Sequence, residues 1–166
     1  MIITSEISLR EYIKLLLKLT YKKPVMWLLI FVACVMLAWI ISYYNNLLPV
    51  PEPTYYQFVT LGLITVVQPL VIFFMIKKNY NSSNHLKERL LIGFGDQEIK
   101  ITGDSFYMEL NWSKIYKVVE LKKWFLIYQN NLSAILVPVK SFDEEQLSSF
   151  KKMLLSIPGL SVRLRD

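Results

Sequence analysis

The 166 residues are 54% hydrophobic, 14% aromatic and 19% charged, and 19 Lys and Arg against 13 Asp and Glu give a formal net charge of +6. An ordinary soluble domain is about 45–50% apolar, so the excess has to be located, and it lies in the first half of the chain. One histidine, His85 in a polar stretch, and one cysteine, Cys34, exclude histidine-activated nucleophiles, multi-histidine metal sites and an intramolecular disulfide.

The chain opens on a helical pattern. Ser8 and Glu11 have capping-box spacing, and Leu9, Tyr12, Ile13, Leu16 and Leu19 recur at helical intervals. Arg10, Lys14, Lys18 and Lys22 fall four apart on another face. Residues 1–24 therefore read as a cytosolic amphipathic helix with these bases as candidate membrane-surface contacts. Its apolar face has two possible resting places, lipid or the C-terminal domain.

From Pro24 to Pro51 there is no charged residue. At about 1.5 Å rise per residue, Val25 to Tyr44 reaches about 30 Å, the thickness of a bilayer hydrocarbon core. A second uncharged run, Pro53 to Ile76, contains the span-length segment 56–76. Residues 25–80 are thus expected to form a two-helix transmembrane hairpin, with spans of about 25–44 and 56–76. The first run ends in Ile41-Ser42-Tyr43-Tyr44, bulky where a cleavage site needs small residues, so the anchor is expected to be retained. Trp27, Trp39, Tyr43, Tyr44, Tyr55 and Tyr56 fit interfacial aromatic belts. Arg10, Lys14, Lys18, Lys22 and Lys23 precede the first span, Lys77 and Lys78 follow the second, and Asn45 to Tyr55 has no base. Both termini are therefore expected on the cytosolic side of a bacterial cytoplasmic membrane.

Within the second span, Pro69 predicts a kink because it lacks an N–H and crowds the carbonyl of Thr65. Gln68 has hydrogen-bonding capacity for the first helix or for another copy of the chain. Thr65, Gln68 and Pro69 are candidate helix-packing residues, since two helices without ionisable groups enclose no transport pathway.

After Lys78 the polar run Asn79 to His85 reads as a linker, and residues 81–166 as a cytosolic domain. Alternating runs at Leu90 to Phe94, Glu98 to Thr102, Ser105 to Leu110, Tyr116 to Leu121, Trp124 to Gln129 and Ser133 to Pro138 predict about six antiparallel strands. Asp143-Glu144-Glu145 then opens a helix with Leu147, Phe150, Leu154 and Leu155 on one face. The expected fold is a membrane helical hairpin plus an α+β domain. In that domain a six-strand sheet or small barrel is capped by the C-terminal helix, as in a pleckstrin-homology domain.

Three stretches, Leu110-Asn111-Trp112-Ser113-Lys114-Ile115, Lys123-Trp124-Phe125-Leu126-Ile127-Tyr128 and Ala134 to Phe142, resemble the YcxB-like family of bacterial membrane proteins. In that family two membrane helices precede a module with a tryptophan step, a strand pair, then a proline and a phenylalanine before the last helix. The resemblance covers nearly the whole chain in architecture and about Gly93 to Leu155 in motif. This chain departs at Pro138-Val139-Lys140, where the family more often has its base directly after the proline. The resemblance brings no general activity with it, and Trp112, Ile115, Trp124, Phe125, Tyr128, Pro138 and Phe142 read as structural.

No catalytic constellation is legible. Gly62, Gly93, Gly95, Gly103 and Gly159 make no phosphate loop, and acids at a helix start serve capping. Residues 1–80 carry seven bases and three acids and residues 81–166 twelve and ten, so the positive excess flanks the spans instead of forming a nucleic-acid face. The expectation is a non-enzymatic protein without cofactor or nucleic acid, its partners the bilayer, an unidentified protein and another copy of itself. Two roles fit: an interaction or regulatory module at the inner membrane face, or an immunity protein against a membrane-active toxin or bacteriocin.

Overall fold

The computed structural model describes residues 1–165, His85 by its backbone alone. The chain divides into a helical unit, Leu9–Ser82, and a sheet-rich unit in which Met1–Ser8 joins the residues from Ser83 onward.

In the helical unit, α1 spans Leu9–Tyr21 and α2 spans Pro24–Tyr44. Pro24 stands at the start of α2, where its missing N–H costs nothing and its fixed φ suits a helix. Past its end Asn46 takes a left-handed φ of 50°. The second apolar helix runs from Tyr55 to Ser82 in three parts: α3, Tyr55–Gly62; a π-helical turn, Leu63–Val67; and α4, Gln68–Ser82. The rearrangement that Pro69 predicts takes the form of this wide turn, in which the Gln68 N–H donates to the carbonyl of Leu63.

Two helices, Pro24–Tyr44 and Tyr55–Ser82, are long and apolar enough to cross a membrane. Only 6% of an 18-residue apolar stretch in each is buried within the protein, whereas the core helix of a soluble domain of this apolarity would be covered. Trp27, Phe31, Leu37, Phe74 and Met75 all face outward.

The apolar face of α1 has a partner that was not expected, α4 of the same unit. It buries Tyr12 and Leu15 and packs against α4. There the Tyr12 and Tyr80 rings lie 5.5 Å apart, and Asn79 Nδ2 donates to Tyr12 Oη at 3.1 Å. Arg10, Lys14, Lys18 and Lys22 stay exposed.

The sheet-rich unit holds two four-stranded sheets and does not close into a barrel. The first has the order β1-β2-β3-β4, all antiparallel, with β1 at Ile2–Ser5, β2 at Leu90–Phe94, β3 at Glu98–Thr102 and β4 at Tyr107–Asn111. The second has the order β7-β6-β5-β8, with β5 at Lys117–Leu121, β6 at Trp124–Tyr128, β7 at Ala134–Pro138 and the two-residue β8, Val162–Arg163, parallel to β5. A short helix α5, Asn84–Lys87, precedes β2, and α6 spans Glu144–Ser156.

The six expected strands are present, and β1 and β8 are additional. Residues 2–5 are thus sheet, and the helix of the N-terminal segment begins only at Leu9. The single curled sheet is broken because the 3-10 turn Trp112–Lys114 turns the chain away after β4, so β4 and β5 do not pair.

Phe94 from the first sheet, Phe125 from the second, Phe142 and Phe150 of α6 form one aromatic cluster. Phe150 lies 4.4 Å from Phe94 and 5.0 Å from both Phe125 and Phe142, centroid to centroid. Phe125, Phe150 and Leu154 are fully buried, so α6 is the plug that joins the sheets into one core.

Candidate functional site

Four places hold the polar or motif residues with the greatest capacity for chemistry or recognition. The first is an open groove of about 560 Å³ on the sheet-rich unit, lined by Thr4, Glu6, Ser8, Arg89, Lys140 and Ser141. Strand alternation supplies one wall: Ile3, Ser5 and Ile7 are buried, which turns Thr4, Glu6 and Ser8 outward. Arg89 follows α5 and immediately precedes buried Leu90. Its neighbour Glu88 accepts from the N–H and the hydroxyl of Ser105, which ties this segment to the turn after β3. A Cβ at Gly103 in that turn would come within 2.7 Å of Leu90 Cδ2 and 2.8 Å of the Glu88 carboxylate, so those two side-chain ends would have to shift.

The opposite wall comes from the 3-10 turn Val139–Ser141, which Pro138 starts and which packs against β1. Val139 N–H donates to Lys123 O at 3.0 Å and Phe142 N–H to Val139 O at 3.1 Å. This winding sends Phe142 into the core and leaves Lys140 and Ser141 at the groove. The groove therefore gathers a guanidinium, an ammonium, three hydroxyls and one carboxylate. Arg89 and Glu6 both line it, yet neither makes an ion pair among the described residues. The guanidinium thus keeps its donor edges for something else.

The second place is the set of motif residues. Trp112 is buried and its Nε1 donates to Gly95 O at 2.9 Å, while its ring stacks on Phe94 at 6.4 Å. Ile115, Trp124, Phe125, Pro138 and Phe142 are buried as well, and Tyr128 is half-buried. Lys117 Nζ lies 5.0 Å over the Tyr128 ring and 5.2 Å over that of Tyr116. Asp143 caps α6, accepting from Gln146 N–H at 2.7 Å, while Gln146 Oε1 accepts from Asp143 N–H at 3.2 Å. Glu120, with a nearly covered side chain, accepts from Lys151 of α6 at 2.7 Å and from Arg165 N–H at 3.0 Å.

The third place is the middle of the second apolar helix. Gln68 Nε2 donates to Met26 Sδ at 2.9 Å, joining the two helices, and Thr65 Oγ1 donates back to Leu61 O at 2.7 Å. Thr65 is exposed and Gln68 and Pro69 half-buried, so these three sit on one stretch of helix with only Gln68 bonding to its neighbour.

The fourth is an exposed cluster on the first sheet. Lys100 lies 2.9 Å from Glu98 and 3.3 Å from Glu109, and the Tyr107 hydroxyl donates to Glu109. Hydrogen bonds to Glu98 and then Glu109 raise the Lys100 ammonium above the ordinary lysine range. The Tyr107 hydroxyl, followed by Lys100, holds Glu109 below the usual carboxylate range. Lys100 and Glu109 face each other directly in the β3–β4 register, which makes this a cross-strand pairing device.

Sequence reasoning singled out the second and third places and missed the groove. The signal for its first wall was there, in the two-residue alternation of Ile3, Ser5 and Ile7, but it is short and merges into the helical pattern that begins at Leu9.

The sequence profile of the family described as YcxB-like protein matches residues 94–154, which run from Phe94 to Leu154 through every motif residue named above. No curated protein and no solved structure matches the chain.

Proposed function

We propose that this chain, whose residues 94–154 are a YcxB-like segment, is a non-enzymatic interaction or regulatory module held at the cytosolic face of a bacterial cytoplasmic membrane by its helical hairpin. The observation that carries this reading is the pairing of β1 with β2, Ile2↔Gly93 through Ser5↔Leu90. The strands lie on either side of both apolar helices in the chain, so they meet only if the flanks of the hairpin emerge on one side of the membrane. The number of crossings must then be even, as two spans give.

The bases support the cytosolic side. Arg10, Lys14, Lys18, Lys22, Lys23, Lys77 and Lys78 all belong to the flanks, and Asn45 to Tyr55 between the helices has none. Confinement to a thin layer raises the effective concentration of the sheet-rich unit toward membrane-bound partners without any new contact. Its polar groups in the groove are binding groups, a guanidinium, an ammonium and hydroxyls, and its motif residues are occupied in the core.

A second reading has one specific observation in its favour. Gln68 places an amide in the middle of the apolar stretch of the second helix, suited to recognition within the bilayer by another copy of the chain or by the toxin of an immunity pair. One experiment separates the two. The apolar hairpin is replaced by an unrelated one of the same topology, and the chimera is expressed in a strain lacking the gene. Retained function at normal protein level supports docking by the sheet-rich unit. Full loss sinks it and moves the activity to Thr65, Gln68 and Pro69.

A further inference from the structure

We infer that the groove lined by Thr4, Glu6, Ser8, Arg89, Lys140 and Ser141 is a binding site for a phosphate group, of the kind borne by an anionic phospholipid headgroup or a soluble phosphate ester. This deepens the reading of the sheet-rich unit as the binding part of the chain and rests on it.

The composition of the groove identifies its ligand. Two cationic side chains and three hydroxyls converge from three separate stretches of chain, against a single carboxylate. A phosphate offers several acceptor oxygens around one centre, and a guanidinium fork with hydroxyl donors is the side-chain set that satisfies them. A carboxylate ligand has two oxygens for the same set of donors, and a cation would have Glu6 alone to hold it.

The state of the side chains agrees. Arg89 and Glu6 share the groove without closing into an ion pair, and the hydroxyls of half-buried Thr4 and Ser141 bond to no described residue. The walls are fixed from behind: β1 by its ladder to β2, the Arg89 segment by Glu88 and Ser105, and the Lys140 turn by Phe142 in the aromatic cluster. A fixed frame in which Arg89, Thr4 and Ser141 keep their side-chain donors is a preorganised condition for binding an anion.

Connectivity also matters, since Ser8 is bonded directly to Leu9, the first residue of the helix that carries Arg10, Lys14 and Lys18, with Lys22 just past its end. Those four bases offer diffuse attraction to an anionic surface; the groove offers a discrete, saturable site. The distinction is what the test reads.

The full-length protein in phosphatidylcholine nanodiscs is titrated with dihexanoyl phosphatidic acid, glycerol 3-phosphate and dihexanoyl phosphatidylcholine, and binding is followed by the shift in its melting temperature and by native mass spectrometry. Saturable one-to-one binding of the phosphatidate, with none for the phosphatidylcholine, is expected. Arg89→Gln with Lys140→Gln should weaken it by about tenfold or more, as loss of charged hydrogen bonds requires. Glu6→Gln should tighten it, a gain that no folding defect can imitate. Lys14→Gln with Lys18→Gln should leave the saturable component unchanged. Glycerol 3-phosphate binding as tightly as the lipid assigns the site to soluble phosphate esters, and binding of the lipid alone assigns it to a headgroup; both support a phosphate site.

Absence of saturable binding in the natural protein overturns the inference, and so does equal affinity in the Arg89 and Lys140 double variant. Neither result touches the docking reading, which the hairpin chimera tests separately. Phosphate binding in a protein whose chimera has lost function would remove that reading and leave the groove.

Discussion

The indole N–H of Trp112 donates to the carbonyl of Gly95, 2.9 Å away and 17 positions earlier in the chain. Gly95 follows β2 and Trp112 opens the turn out of β4, so one bond fastens the exit of a central strand to the exit of the edge strand. Trp112→Phe keeps the stack on Phe94 and loses this bond, and should cost about 1–2 kcal/mol. Trp112→Ala also leaves a cavity and should cost about 3–5 kcal/mol. Unfolding followed by near-ultraviolet dichroism in detergent would order them. Equal stability of the two variants would contradict a role for the hydrogen bond.

Because β1 belongs to the same unit as β2, the sheet-rich unit should be separable from the helices only together with its first residues. Joining residues 1–8 to residues 83–166 through a flexible linker of about ten Gly and Ser residues, reaching roughly 15–20 Å, should yield a soluble folded domain. Residues 83–166 alone lose the strand that covers Ile92 and carries Ile3, and should melt lower or aggregate through the bare edge of β2. A fragment from Ser83 onward that is as stable as the linked form would show that β1 contributes nothing.

Lys151 and Glu120 join α6 to β5, and the Glu120 side chain is only 8% exposed. Lys151→Ala leaves that carboxylate with the Arg165 N–H as its remaining described donor and should cost about 1–3 kcal/mol. Glu120→Gln with Lys151→Met should recover much of the loss, because neither partner is then a covered charge. A double-mutant cycle on the linked domain measures it, and a coupling energy near zero would argue against the pair.

Cysteine labelling tests the topology. In intact cells an impermeant maleimide should modify Asn46→Cys, between the apolar helices, and spare Ser83→Cys until the membrane is opened. The reverse pattern would place the sheet-rich unit outside the cytosol and remove the proposed location.

The apolar helices were legible because their uncharged runs are long, and the six strands because short alternating runs are bounded by turn signals such as Asn130-Asn131 and Gly103-Asp104. What escaped is short or depends on distant pairing. β8 has two residues and exists only because β5 lies beside it, while β1 has four residues ahead of a strong helical pattern. The separation into two sheets was equally hidden, since nothing local to Trp112 says that β5 will pair with β6 and β8 and not with β4. The groove follows from the same cause: Thr4, Arg89 and Lys140 are far apart in the chain, and only the β1–β2 ladder and the Pro138 turn bring them together.

The β1–β2 ladder finally bears on how the protein is made. Met1 and Phe94 are 93 positions apart, yet Phe94 N–H donates to Met1 O at 2.7 Å. At a synthesis rate of roughly 5–20 residues per second, β1 waits on the order of 5–20 s for its partner, and both apolar helices leave the ribosome in that interval. If either helix fails to insert, or the hairpin goes in with one crossing, β1 and β2 are stranded on opposite sides of the bilayer and the sheet stays open. Such a chain would leave the β2 edge unpaired. The sheet can therefore close only in a chain whose two hairpin flanks lie on the same side.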